Sequence, residues 1–129
     1  MKKRTKYLIM LAVCCIVLVG GSLTAFAYSH NFSLTPIGLG DWKATGAVYK
    51  TNSTMNSYAS VTAVQGGGTL SSYIANRYVA QLSNAINITN GSNKTYNLNA
   101  SSYDGYYIYV VQSLHTDIYG RNTYGTWQP

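Results

Sequence analysis

Once the first 27 residues are set aside, few side chains could do acid–base or ligand chemistry: His30, His115, Asp41, Asp104 and Asp117. No glutamate occurs anywhere, and both cysteines, Cys14 and Cys15, lie within those first residues. Glycoside hydrolysis needs two carboxylates flanking a substrate. Asp104 and Asp117 are the pair on offer, but Asp104-Gly105 reads better as a turn. His115-x-Asp117 sets two metal-ligand types on one side of a strand, and the plainer reading is a solvated strand end. Serines are abundant, yet no Gly-x-Ser-x-Gly elbow is present, and thiol catalysis has no nucleophile. There is no His-Glu-x-x-His, phosphate loop or calcium loop. Gly66-Gly67-Gly68 lacks a following Lys-Ser/Thr and reads as a flexible loop. The expectation is a protein that is not an enzyme, with no catalytic residue, metal site or cofactor. A small hydrolase using His115 with Asp117 or Asp104 is the third-ranked alternative.

What the acid–base inventory lacks, the aromatic inventory supplies. Tyr103, Tyr106, Tyr107, Tyr109, Tyr119, Tyr124 and Trp127 fall within the last 27 residues. Tyrosine and tryptophan combine an apolar body with a polar tip, which suits stacking on sugars or contact with lipid or protein. Period two divides Tyr106 from Tyr107 and Tyr109, so both faces of that segment carry rings and one face must be core. Tyr106, Tyr107, Tyr109, Tyr119, Tyr124 and Trp127 are taken as the candidate binding surface.

The elements that must carry these rings read as strands. Tyr28, His30, Phe32 and Leu34 alternate with polar residues until Pro36, Gly38 and Gly40 end the run. Trp42, Ala44, Gly46 and Val48 form one face of a second strand. Asn52-Ser53-Thr54 reads as a turn. Tyr58, Ser60 and Thr62 oppose Ala59, Val61 and Ala63 in a third strand. Residues 69–82 fit either periodicity, and the β-rich surroundings favour strand. Segments 85–89 and 95–100 flank Asn90-Gly91-Ser92-Asn93, the strongest short hairpin signal, which would set Ile86 and Ile88 opposite Tyr96 and Leu98. Tyr106 to Leu114 is the most apolar run and reads as a central strand. Tyr119-Gly120-Arg121-Asn122 turns the chain into a last short strand, Thr123 to Trp127. Seven or eight short strands predict an all-β fold, a single antiparallel β-sandwich, with a small barrel second.

The N-terminus looks like an export signal. Lys2, Lys3, Arg4 and Lys6 precede an uncharged apolar run, and Ala25-Phe26-Ala27 has the small-x-small form of a cleavage site. Residues 1–27 are read as a signal peptide, cleaved before Tyr28, and 28–129 as a secreted domain. A retained anchor and lipid attachment at Cys14 or Cys15 are the alternatives. After Ala27, Lys43, Lys50, Arg77, Lys94 and Arg121 against Asp41, Asp104 and Asp117 leave a charge of +2. Most of the formal charge of +6 therefore belongs to the leader, and no nucleic-acid partner is inferred. The domain has no cysteine, although export would permit disulfides. Asn-x-Ser/Thr triplets start at Asn31, Asn52, Asn87, Asn90, Asn93 and Asn99, and are silent if the short basic signal is bacterial.

The closing Gly125-Thr126-Trp127-Gln128-Pro129 resembles a Gly-x-Trp-x-Pro pattern in an uncharacterised family of small secreted proteins of Gram-positive bacteria. That family is loosely similar to lactococcin-type bacteriocins. The resemblance implies a disulfide-free, tyrosine-rich β-sandwich and no catalytic residues. The leading expectation is a secreted, non-enzymatic protein that binds a component of the bacterial envelope or surroundings, with a bacteriocin-like role as its sharpest form. Its partner would be a glycan, a protein or, peripherally, a membrane. A surface or matrix subunit that self-associates through strand edges is the alternative.

Overall fold

The computed structural model describes residues 29–50 and 55–129. The expected leader and the expected turn at Asn52-Ser53-Thr54 lie outside the described residues. Along the described chain run β1 (His30–Leu34), β2 (Trp42–Ala44), β3 (Val48–Tyr49), β4 (Asn56–Val64) and β5 (Leu70–Asn76). They are followed by β6 (Ile86–Ile88), β7 (Asn93–Asn97), β8 (Tyr106–Ser113) and β9 (Thr123–Gln128). One sheet has the order β1-β9-β4-β7, the other β2-β8-β5-β6, with β3 also paired to β8. All pairings are antiparallel. The expected all-β sandwich is the observed architecture, with nine described strands rather than seven or eight.

Alternation builds the core between the sheets. Phe32, Ala59, Val61, Tyr96 and Trp127 point in from the first sheet, and Leu70, Ile74, Ile88, Tyr109 and Val111 from the second. Residues 70–76 follow period two, with Leu70, Ser72 and Ile74 buried inward, so the ambiguous segment begins as a strand. It ends at Asn76, whose side chain accepts from the amides of Tyr78 and Ala80 and turns the chain. The run in β8 is apolar on both faces because both are covered. Its outward Ile108 and Val110 pack with Ala75, Ala44 and Tyr73.

The extra strand comes from a bulge. Ala44 pairs with Val110 and Val48 with Tyr107, so one side of the ladder holds one residue more than the other. Thr45 fills the gap: its amide donates to the Tyr109 carbonyl, and its hydroxyl accepts from the Tyr109 amide. The extra residue flips the pleat. Trp42 and Ala44 therefore lie on the outer face while Val48 packs into the core, where one shared face was expected. A second bulge in β4, between Val61 and Ala63, puts Val64 rather than Ala63 inward.

The expected hairpin around Asn90-Gly91 is not one. The turn is real, with the Ser92 amide donating to the Thr89 carbonyl and Gly91 at φ +69°. But β6 pairs with β5 in one sheet and β7 with β4 in the other, so the turn carries the chain across the sandwich. The two-residue hairpin turns I′ and II′ both need positive φ at the first central position; Asn90 does not have it. Its side chain instead accepts from the Val64 amide beyond the β4 bulge, fixing the corner.

Gly66-Gly67-Gly68 is ordered as well. Gln65–Gly67 form one 3-10 turn, with Gly66 and Gly67 at positive φ. A Cβ on Gly68 would occupy the place of the Arg121 guanidinium, which lies against the glycine backbone.

Candidate functional site

Each of the three carboxylates is used to hold a loop. Asp41 accepts from the Ile37 amide and pairs with Lys43 at 3.0 Å. Asp104 accepts from the Ser102 hydroxyl and the Tyr106 amide and pairs with Arg77 at 2.5 Å. Asp117 pairs with Arg121 at 2.5 Å and accepts from the Tyr119 amide. These contacts hold all three acids below the usual carboxylate range, led respectively by the Ile37 amide, the Ser102 hydroxyl and the Arg121 guanidinium. Asp104 precedes β8 and Asp117 follows it, so the eight-residue strand sets them about 25 Å apart. Paired glycosidase carboxylates lie within roughly 10 Å of each other. His115 and Asp117 do not share a strand face either: they stand in a loop, with the imidazole packed against Gly40.

The candidate aromatic surface divides. Tyr107, Tyr109 and Trp127 are core residues, a correction to their reading as exposed binding groups. The reason is the pleat: Tyr107 and Tyr109 share the inward face of β8, and Trp127 the inward face of β9. Tyr109 and Trp127 stack at 6.0 Å, with Phe32 at 5.0 Å from Tyr109. The Tyr109 hydroxyl meets that of Tyr96 at 3.2 Å, and Tyr96 meets Ser72 at 2.6 Å. The three exposed candidates occupy different regions. Tyr106 packs edge-on against Tyr49 and under Arg77, Tyr119 lies by Arg121, and Tyr124 stands on the outer face of the first sheet.

That outer face carries a continuous row of polar side chains. Ser60 is opposite Thr126 on one side and Asn93 on the other; Tyr58 is likewise opposite Gln128 and Thr95. Together they line an open trough of about 200 Å³ across β9, β4 and β7. Its outward side chains are hydroxyls, amides and one phenol. Lys94 also lines it, but alternates with Asn93 and Thr95 and so leaves the opposite side of the pleat. Tyr58 and Tyr124 are 41 % and 46 % exposed, and four positions of β9 separate Tyr124 from Gln128, the neighbour of Tyr58. That is about 13 Å along the sheet. No family model matches this chain, and no curated protein or solved structure matches it. Among the described residues no cluster of three or more His, Cys, Asp or Glu could hold a metal.

No catalytic signature marks this face, because its residues are individually ordinary. Alternation places Tyr58, Ser60 and Thr62 on one face; Gln128 and Thr126 stand beside Tyr58 and Ser60 in β9, while Tyr124 pairs with Ala63 beyond the bulge.

The ionisable groups predict a plateau of stability with two shoulders. The aspartates are depressed in the fold, so their contribution is complete above the unfolded value near pH ~4 and is lost as pH falls. Tyr96 and Tyr109 are pushed up, chiefly by burial, so their contribution is complete below about pH 10 and is lost as pH rises. Denaturant midpoints should be flat from about pH 5 to 9 and fall on both sides. Tyr109→Phe should shrink the alkaline shoulder and leave the acid one unchanged. An alkaline shoulder of undiminished size in that variant would refute the assignment.

Proposed function

We propose that this protein is an exported, non-enzymatic binding module for an uncharged glycan of the cell envelope or its surroundings. The observation that carries the reading is the outer face of the first sheet: an uncharged hydroxyl and amide trough flanked by two half-exposed tyrosines. Sugars present hydroxyls in fixed directions and apolar C–H faces. Serine, threonine, asparagine and glutamine answer the first, and a phenol ring answers the second. An extended sheet holds these groups on a rigid backbone, so little ordering cost accompanies binding. Export is proposed from the leader-like residues 1–27, and an antimicrobial role follows only if the glycan belongs to a competing cell.

The test is retention on insoluble polysaccharides: purified cell-wall sacculi, chitin and cellulose. The chain should be retained on at least one, and Tyr58→Ala combined with Tyr124→Ala should weaken retention by roughly tenfold or more, a loss of about 1.4 kcal/mol. Tyr106→Ala, on the other sheet, should leave it unchanged. Equal retention of the double variant would sink the reading.

A further inference from the structure

Two dipeptides in this chain set an asparagine or aspartate before glycine, Asn90-Gly91 and Asp104-Gly105. Both can close the same five-membered ring. The glycine amide nitrogen attacks the side-chain carbonyl carbon of the residue before it, and a glycine without Cβ leaves that approach open. The fold treats the two sites oppositely. At Asp104 both reacting groups are occupied. The Gly105 amide donates to the Ser102 carbonyl at 3.3 Å. The carboxylate accepts from the Ser102 hydroxyl and the Tyr106 amide and pairs with Arg77. These partners favour its ionised form, which is a poor electrophile. At Asn90 the reacting groups are in reach. Among the described residues neither the Gly91 amide nor the Asn90 side-chain NH2 has a hydrogen-bond partner, and both residues are exposed. Only the side-chain oxygen is engaged, and it accepts from the Val64 amide. That donor is firmly held. Val64 pairs with Thr123, its side chain is buried, and the next amide, Gln65, donates to the Asn122 carbonyl. The Val64 N–H therefore polarises the Asn90 carbonyl and stands where negative charge develops during attack, the role of an oxyanion-hole donor.

We propose that Asn90 is a self-modifying site, which loses its side-chain nitrogen through a cyclic imide formed with the Gly91 amide. A bond forms between the Gly91 nitrogen and the Asn90 Cγ, and the bond from Cγ to Nδ2 breaks. The proton released by Gly91 leaves with that nitrogen as ammonia. Water, the one co-reactant, then opens the imide at either carbonyl. Cleavage at Cγ restores the main chain and leaves aspartate. Cleavage at the main-chain carbonyl leaves isoaspartate, with the chain running through Cγ. Either product adds a negative charge. Aspartate keeps an acceptor for the Val64 amide. Isoaspartate lengthens the main chain at the turn that carries it from β6 to β7, and draws the Val64 acceptor into the main chain. The turn thus records the age of each molecule, and does so whether or not the polar trough binds a glycan.

The test holds the purified full chain in mildly alkaline buffer, folded in one sample and unfolded by urea in another, and follows both by peptide mass spectrometry. Residues 1–27 contain no asparagine and add no background. In the folded chain residue 90 should exchange its amide for a carboxyl at a rate no lower than in urea, because the Val64 amide assists only in the fold. The product should be a mixture of aspartate and isoaspartate, and water labelled with oxygen-18 should leave its label there. Asp104 should isomerise in urea and be protected in the folded chain. Gly91→Ala should slow the loss of the amide roughly tenfold or more, since its methyl obstructs ring closure. An Asn90 that is stable in the folded chain, or slower to react there than in urea, overturns the proposal. So does aspartate without isoaspartate, the product of direct hydrolysis. Equal isomerisation of Asp104 in both samples would refute the contrast on which the proposal stands.

Discussion

Trp127→Ala should remove about 3–5 kcal/mol of stability and lower the thermal midpoint by roughly 20 °C. Trp127 is among the largest fully buried side chains, stacked on Tyr109 and 6.3 Å from His30. Truncation leaves a cavity bounded by rings that cannot collapse into it without leaving the Tyr96–Tyr109–Ser72 hydroxyl chain. A domain of about 100 residues has on the order of 5–15 kcal/mol to lose. Thermal unfolding followed by circular dichroism measures the effect. Tyr124→Ala, three positions earlier but outward, should change stability by about 0.5 kcal/mol or less. The contrast separates a core role for Trp127 from a binding role: a variant with an unchanged midpoint would return Trp127 to the surface.

Gly125→Ala should be nearly as damaging, for a different reason. Gly125 has no positive φ, so backbone freedom is not what its position needs. It pairs with Val61 on one side and Phe32 on the other, beside the β4 bulge. A Cβ there would collide with the Ser60 carbonyl and crowd the Thr62 amide, both backbone atoms that no rotamer change can move. Either the bulge straightens, turning Val64 out of the core, or β9 parts from β4. The expected cost is about 3 kcal/mol. Gly46→Ala is the control, since nothing lies within 4 Å of its added Cβ and its φ is not positive. It should be neutral or slightly stabilising. Equal midpoints for the two variants would refute the steric account.

What was legible in the sequence was whatever period two controls. The central place of β8 and the division of Tyr106 from Tyr107 and Tyr109 follow from alternation and apolar content; which of those faces is core does not. What was not legible depends on one residue or on a distant partner. The bulge at Thr45 has no local signature, yet it reverses the faces of Trp42 and Val48. Asn90-Gly91 signals a turn, but nothing within ten residues says that its two arms belong to different sheets, because their partners are β5 and β4. The glycine triplet reads as flexible until Arg121, more than fifty residues later, is seen lying on it. For the candidate site the difficulty was one of kind. Rings draw attention, but three of the six candidate rings are core, and the trough consists of residues that turns and strands use everywhere.

The first sheet also constrains the order of events in folding. β1 and β4 lie close in the sequence, yet neither pairs with the other; β9 stands between them and bonds to both. His30 finds its partner at Trp127, nearly the whole domain away. Contacts of such sequence separation make folding slow, because loop closure precedes any return from pairing. Until Thr123–Gln128 has been synthesised and inserted, β1 has no neighbour and β4 has one. The first sheet can therefore be completed only by the last strand, in a single late step of folding.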